Sequence, residues 1–177
     1  MFRPLLFATI FLSIATLSAV AQEKPEADPE LAAIQKAGGK FERDDSAPEK
    51  PVKYVNFGVT QAKDEDLAHL KGLSKLKKLT LNGTKITDAG LDHVKALGSL
   101  EKLYLVDTKV TDAGVEKLKE LKELKILSLV GTGVTDAGLE HLKGLDKLEI
   151  LFLHGTKVTD DGVKKLKEKL TKLKVEK

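Results

Sequence analysis

Hydrophobic positions from about Val52 to the C terminus change their spacing within every 24 residues. Leucines first alternate with other residues, as in Leu79-x-Leu81, and this alternation predicts a strand with one buried face. Apolar residues then recur at every third position, as at Leu91 and Val94, and this spacing predicts a short helix with one buried face. We therefore expect each unit to contain one strand and one short helix.

Threonine, aspartate and glycine recur with the same period of 24 residues. The repeated positions are Thr84, Thr108, Thr132 and Thr156; Asp88, Asp112, Asp136 and Asp160; and Gly90, Gly114, Gly138 and Gly162. The register extends one unit back, to Thr60, Asp64 and Leu67, so we count five repeats with a divergent first one. Because units of this length bury their apolar faces only by stacking, the period predicts a solenoid.

Residues Leu100 to Val115 have the pattern Leu-x-x-Leu-x-Leu-x-x-Thr-x-Val-Thr-Asp-Ala-Gly-Val, which resembles a leucine-rich repeat. The resemblance covers about Val52 to Val175. It looks most like the 24-residue subclass with Thr-Asp-Ala-Gly-Leu repeats, found in ubiquitin-ligase substrate receptors and in short exported bacterial proteins. The resemblance implies an α/β fold, a right-handed solenoid with a concave parallel sheet and short convex helices. It also implies non-catalytic binding of a protein or peptide.

The repeated polar positions have structural interpretations. We expect the threonine column to face inward, with each hydroxyl donating to a carbonyl of an adjacent coil. Thr-Asp before a helix is typical of an N-terminal cap, so we expect the aspartates to accept from unpaired helix amides; a metal site is the alternative. The glycines that follow lie in the first helical turn, where close packing between coils requires a small residue.

The N-terminal third has a different composition. Residues 1–21 have a positive end at Arg3, an apolar stretch and the small-x-small sequence Ala19-Val20-Ala21, which predicts a cleaved signal peptide; an uncleaved anchor is the alternative. Residues 22–28 predict a polar tether, 29–51 an N-terminal cap with a helix and a short strand, and 52–177 the repeat domain with a short C-terminal cap. We expect export to the periplasm, the cell surface or the medium, with no stable membrane insertion after cleavage.

Charge and cysteine content exclude several classes of function. The formal net charge is +3, and Arg3 and Arg43 are the only arginines, so nucleic-acid recognition is not expected. The chain has no cysteine, which rules out disulfides, thiolate metal sites and a cysteine nucleophile. His69, His93 and His141 share one outer helix column, too widely spaced for a common metal. We expect no cofactor and no metal.

Outward-facing strand residues are the candidates for binding, because they are where the repeats differ. They form three columns: Tyr54, Lys78, Lys102, Ile126 and Ile150; Asn56, Thr80, Tyr104, Ser128 and Phe152; and Gly58, Asn82, Val106, Val130 and His154. The last three repeats present the predicted partner-binding residues Tyr104, Val106, Ile126, Val130, Ile150, Phe152 and His154. The alternative is cross-strand pairing that only stabilises the sheet.

The sequence favours an exported binding module, and we expect a monomer. A self-associating structural component of the envelope is the first alternative, because an apolar strip or lysine-rich helices also suit lateral contacts. An enzyme is the second. His154 is the only histidine in the outward columns, Asp107 lies two strands away, and no nucleophile or metal motif accompanies them.

Overall fold

The computed structural model describes residues 28–177, whose strands form one sheet of seven in chain order. The strands are β1 Lys40–Arg43, β2 Val52–Asn56, β3 Lys78–Thr80, β4 Lys102–Tyr104, β5 Ile126–Ser128, β6 Ile150–Phe152 and β7 Lys174–Glu176. The helices are α1 Pro29–Lys36, a 3-10 helix at Asp64–Leu70, α2 Leu91–Val94, α3 Asp112–Glu116, α4 Asp136–Glu140 and α5 Asp160–Lys169. β1 is antiparallel to β2, and all later neighbours are parallel. The predicted α/β solenoid with its parallel sheet is confirmed.

The N-terminal end of the described chain is a helix followed by a strand. The predicted signal peptide, residues 1–21, and all of the predicted tether except Asp28 lie outside the described residues. Asp28 accepts a hydrogen bond from the Glu30 N–H at 3.1 Å and so caps α1, whose Leu31 and Ile34 are buried. β1 then pairs with β2 at the sheet edge. Within residues 28–177 no helix combines the length and the apolar character that spanning a membrane requires.

The core is a stack of leucine columns that runs through every repeat. Leu79, Leu103, Leu127 and Leu151 lie in register on neighbouring strands, and each has no exposed surface. Strands of three residues and helices of four or five residues are too short to be stable alone. Each unit is therefore stable because its neighbours cover both sides of its apolar layer.

The inward threonines hydrogen-bond within their own coil, which corrects the prediction that they join adjacent coils. Each hydroxyl donates to the carbonyl three residues earlier: Thr84 to Leu81 at 2.6 Å, Thr108 to Leu105 at 2.8 Å, Thr132 to Leu129 at 2.6 Å and Thr156 to Leu153 at 2.7 Å. The chain turns sharply after each strand, with a left-handed residue such as Gly131 (φ 68°) inside the turn. In that turn the Leu129 carbonyl also accepts from the Thr132 N–H, at 3.1 Å, so the coil's own carbonyl lies within reach of the hydroxyl.

The aspartate column provides the contact between coils. The carboxylates of Asp64, Asp88, Asp112 and Asp136 accept from the N–H and hydroxyl of Thr87, Thr111, Thr135 and Thr159 in the next repeat, at 2.6–2.8 Å. We call this pair of bonds the inter-repeat bridge. The prediction that the aspartates cap helices is wrong, because their oxygens face the following coil and not the amides of their own helix. Threonine is the capping residue, as when Thr135 accepts from the Ala137 N–H at 3.2 Å.

The recurring glycines make room for the inter-repeat bridge. A Cβ atom built on Gly114 would overlap the Asp88 carboxylate, and one built on Gly138 would overlap that of Asp112. The same holds for Gly90 and Gly162 with the aspartates before them. The expected close packing between coils is confirmed, since any side chain at these positions would displace the carboxylate that joins two repeats.

The C-terminal end closes the core with a longer helix and a last strand. Leu170 and Leu173 are buried at 6% and 2% exposure, and Val175 of β7 pairs in register with Leu151. The predicted last short strand is therefore confirmed. Asp160 occupies the bridge position of this repeat, but within residues 28–177 its carboxylate bonds only the Lys177 ammonium, at 2.6 Å.

Replacing Asp112 with Ala should lower the free energy of unfolding by about 2–3 kcal/mol, because it removes both charged bonds of one bridge. Asp160→Ala is the matched control. That aspartate has the same place in its repeat without a bridge, so its loss should be under about 1 kcal/mol. Urea denaturation of both variants measures the difference, and equal losses would contradict the bridge.

Replacing Thr132 with Val should lower the free energy of unfolding by about 1 kcal/mol, because the change keeps the shape but removes a buried hydroxyl that donates to Leu129. Thr132→Ser is the comparison, because it keeps the hydroxyl and loses the methyl group instead. Thermal denaturation measures both variants. An unchanged melting temperature for the valine variant would show that the bond adds nothing to stability.

Candidate binding surface

The outward strand residues lie in three rows across the sheet, as the repeat predicts. The first row runs through Tyr54, Lys78, Lys102, Ile126 and Ile150, and the second through Asn56, Thr80, Tyr104, Ser128 and Phe152. The third row follows the strands, and backbone bonds such as Asp107 N–H to Val130 O at 2.8 Å hold its members in register. Because parallel strands lie roughly 4.8 Å apart, equivalent side chains form a continuous surface.

The structure brings the seven predicted binding residues together on β4, β5, β6 and the residues that follow them. Tyr104, Val106, Ile126, Val130, Ile150 and Phe152 are half-buried, and we call them the apolar strip. His154 is exposed at its margin. Other half-buried apolar side chains, such as Phe41, Leu73 and Val163, pack against the core, whereas the strip residues belong neither to the core nor to the side chains packed against it.

Ser128 differs from the expectation that every outward column residue is accessible. It is only 3% exposed. Ser128 lies in register between Tyr104 and Phe152, and a small side chain between two aromatic rings is covered by them. The middle of the strip is therefore formed by the two aromatic residues and by Ile126 and Ile150 beside them.

The other end of the sheet carries lysines and tyrosines around a shallow hollow. The Lys78 ammonium lies 4.4 Å from the ring centre of Tyr54 and 5.6 Å from that of Tyr104, within the range of cation–π attraction. An open space of about 340 Å³, which we call the lysine hollow, is lined by Glu42, Lys53, Tyr54, Lys77, Lys78, Glu101 and Lys102. Tyr104 of the apolar strip lies beside Lys78 of this hollow, so the two surfaces adjoin.

Glu101 is held by two lysines, and all three residues lie directly before the neighbouring strands β3, β4 and β5. Its carboxylate lies 2.9 Å from the Lys77 ammonium and 2.8 Å from that of Lys125. Hydrogen bonds from Lys125 and then Lys77 lower the pKa of Glu101 to about 2. The carboxylate therefore stays ionised well into the acid range and is already neutralised by its own neighbours.

Two asparagines of the first repeats accept hydrogen bonds from backbone N–H groups. Asn82 accepts from the Val106 N–H at 3.0 Å, and Asn56 accepts from the Gly58 N–H at 2.8 Å. The Asn82 bond joins neighbouring coils, whereas the Asn56 bond stabilises the turn after its own strand. The lysines are consequently the polar groups at this end that are best placed to contact another molecule.

The histidines do not assemble a chemical site. Asp107 lies in a turn with φ 53°, and its carboxylate is directed at Gly131 of the next repeat, not at His154. Within residues 28–177, no three histidine, aspartate or glutamate side chains are grouped so that they could hold a metal ion. His69, His93 and His141 are half-buried on the helix side of the coil.

The lysine hollow is the part of the surface that the sequence pattern did not predict. The columns placed Lys78 next to Tyr54 and one step from Tyr104, and this interleaving of a cation between aromatic residues was the available signal. The contribution of Glu42 from β1 depends on the antiparallel pairing of Glu42 with Tyr54. No repeat pattern extends to that strand, so the full lining required the structure.

Two segments match a family model described as Leucine Rich repeat, at residues 72–92 and 99–119. The comparison with curated protein sequences found no match.

Solved structures with leucine-rich repeats share the fold. The ectodomain of the receptor kinase SOBIR1 from Arabidopsis thaliana is 18% identical, with a TM-score of 0.55 over 84% of this chain and 90% of that one. The Leiomodin-1 actin-binding site 2 is also 18% identical, with a TM-score of 0.55 over 82% and 87%. A leucine-rich-repeat protein of Leptospira interrogans is 22% identical, with a TM-score of 0.50 over 62% of this chain, which spans 27% of that protein. The expected leucine-rich-repeat fold is confirmed.

Glu101 should make the stability of the protein sensitive to acid. The pKa of its carboxyl is lowered from the ordinary value of 4.5 to about 2 in the folded state. Its contribution to the free energy of unfolding is therefore complete above pH 4.5 and is lost as the pH falls from there toward 2. In urea denaturation, Glu101→Gln should be less stable than wild type at neutral pH, and the gap should close on acidification. Glu149→Gln, in the same column, is the control. A gap independent of pH would contradict the ion pairs.

Proposed function

Since the chain is a leucine-rich-repeat protein, we propose that it is an exported, non-catalytic module whose concave sheet binds a protein or peptide partner. The proposed contact residues are Tyr104, Val106, Ile126, Val130, Ile150, Phe152 and His154. In this proposal the leucine columns and bridges serve as the scaffold, and the strand residues that differ between repeats carry the specificity.

One observation carries the proposal: the apolar strip is a continuous apolar surface that the described chain covers only in part. Its six members are half-buried on neighbouring strands and lie outside both the core and its packed margin. Aromatic and branched side chains in such a position are typical of the anchors of protein interfaces.

Other proteins with this fold support a binding role. Leiomodin-1's similar segment is an actin-binding site by name, and the SOBIR1 segment is the ectodomain of a receptor kinase. The proposed export depends on the signal-like residues 1–21, which would direct the chain to the periplasm, the cell surface or the medium. A rigid strand surface suits binding because it presents side chains without an ordering cost at each one.

Replacing Tyr104, Ile126 and Phe152 together with Ser should abolish capture of a partner from the native envelope fraction, because it removes the anchors of the strip. The variant should keep the wild-type circular-dichroism spectrum, since these side chains lie outside the core. Pull-down with stoichiometric recovery, compared between wild type and variant, measures the effect.

A triple change of His69, His93 and His141 to Ser is the matched control on the opposite side of the coil. It should leave capture unaltered. Equal capture by the strip variant would contradict the proposed site. Light scattering after size exclusion separates a monomeric binder from a self-associating component, because only the latter would show a mass that rises with concentration and falls in the strip variant.

A further inference from the structure

We infer that the partner segment bound here is extended and carries one or two acidic side chains at a distance of two to four residues from a large apolar side chain. This inference rests on the proposed function, because it gives the chemistry of the ligand at the same sheet. It adds the lysine hollow to the surface and assigns a direction across the strands. Acidic groups would lie over β3 and β4, and the apolar anchor would lie over β5 and β6.

The first argument is the surplus of positive charge in the lysine hollow. Four lysines and two glutamates line it, and Glu101 is already bonded to Lys77 and to Lys125. Lys102 is exposed and forms no salt bridge within residues 28–177. Lys53 and Lys78 form no salt bridge there either, so three cations face one remaining carboxylate, that of Glu42, and an acidic ligand side chain is the complementary group.

The second argument is the fixed position of Lys78. The rings of Tyr54 and Tyr104 lie on either side of its ammonium, at 4.4 and 5.6 Å. A lysine held between two rings loses less side-chain freedom on binding than a freely moving one. Tyr104 is itself a member of the apolar strip, so an acidic group paired with Lys78 places the neighbouring ligand residues directly on that strip.

The third argument is spacing along the first row. Lys78, Lys102, Ile126 and Ile150 lie on successive strands, roughly 4.8 Å apart, so the distance from the lysines to the isoleucines is about 5–14 Å. An extended chain advances about 3.3 Å per residue. An acidic side chain over the lysines and an apolar side chain over Ile126 or Ile150 are then about two to four residues apart.

The adjoining apolar strip favours a peptide over an anionic polymer. A polysaccharide or nucleic acid would use the lysines but would gain little from Ile126, Ile150 and Phe152. The cations around the hollow are all lysine, without the forked guanidinium that phosphate recognition favours. A peptide is the polymer that combines carboxylates with large apolar side chains at fixed intervals.

Panning a display library of random short peptides against the immobilised full-length protein tests the inference. Recovered sequences should be enriched in Asp or Glu two to four residues from Leu, Ile, Phe or Tyr. For a recovered peptide, the double variant Lys78→Gln/Lys102→Gln should bind about tenfold more weakly, because it removes two exposed ion pairs. Lys85→Gln/Lys109→Gln removes the same charge from the same two repeats and should leave binding unchanged.

A double-mutant cycle then tests direct pairing. Replacing the acidic residues of the peptide with Gln or Asn should weaken binding to wild type about tenfold, with no further loss in the Lys78→Gln/Lys102→Gln protein. Additive losses would overturn the pairing. The pairing would also be overturned if the Lys85→Gln/Lys109→Gln protein bound the unmodified peptide as weakly as the Lys78→Gln/Lys102→Gln protein does. Isothermal titration with the melting temperature of each variant excludes misfolding as the cause.

The outcomes separate the inference from the proposed function. Peptides that lose binding to the Tyr104, Ile126 and Phe152 triple variant but show no acidic preference would overturn the inference and leave the proposed function standing. Peptides that bind the triple variant as well as wild type would overturn both. Polygalacturonate that binds in a Lys78- and Lys102-dependent way, with no acidic-apolar peptide recovered, would replace the peptide with an acidic polysaccharide.

Discussion

The contact between the aspartate of one repeat and the threonine of the next is the interaction on which the rest of the structure depends. The leucine stack supplies most of the driving force, but apolar burial has no direction and tolerates sliding of one coil against another. The bridge has direction, because one carboxylate accepts from both an N–H and a hydroxyl over a glycine that leaves room for it. It therefore fixes each coil against the next, and with it the strand register that aligns the outward rows.

Much of the fold follows from the period of the sequence, and the errors have identifiable causes. The threonine column was correctly expected to face inward, with Thr84, Thr108 and Thr132 buried, but its bond partner depends on a turn geometry that residue types alone do not determine. Thr-Asp before a helix correctly indicated a cap, but the two side chains have different roles. The threonine caps the helix, and the aspartate accepts hydrogen bonds from the next coil. The pattern contains no information on which of two adjacent oxygen-bearing side chains faces the neighbouring coil.

The candidate surface, too, could be predicted from the sequence only in part. The apolar strip was predictable because its members occur at fixed offsets from the leucines, so their outward direction follows from strand alternation. Ser128 was misjudged because its burial depends on the sizes of its neighbours across the sheet, Tyr104 and Phe152. The lysine hollow needs a side chain from the non-repeating β1, so part of its lining lies beyond any repeat rule.

The inter-repeat bridge also separates what holds the molecule together from what faces outward. Its threonine lies just before each helix, its aspartate and glycine lie at or near the start of the helix, and none belongs to the three outward rows. Each 24-residue unit therefore carries both halves of the same joint, an acceptor for the unit after it and a donor for the unit before it. A unit duplicated between Asp88 and Thr159 would meet compatible partners on both sides. The binding surface of this scaffold is thus open to lengthening by whole strands, roughly 4.8 Å at a time, without redesign of the joints.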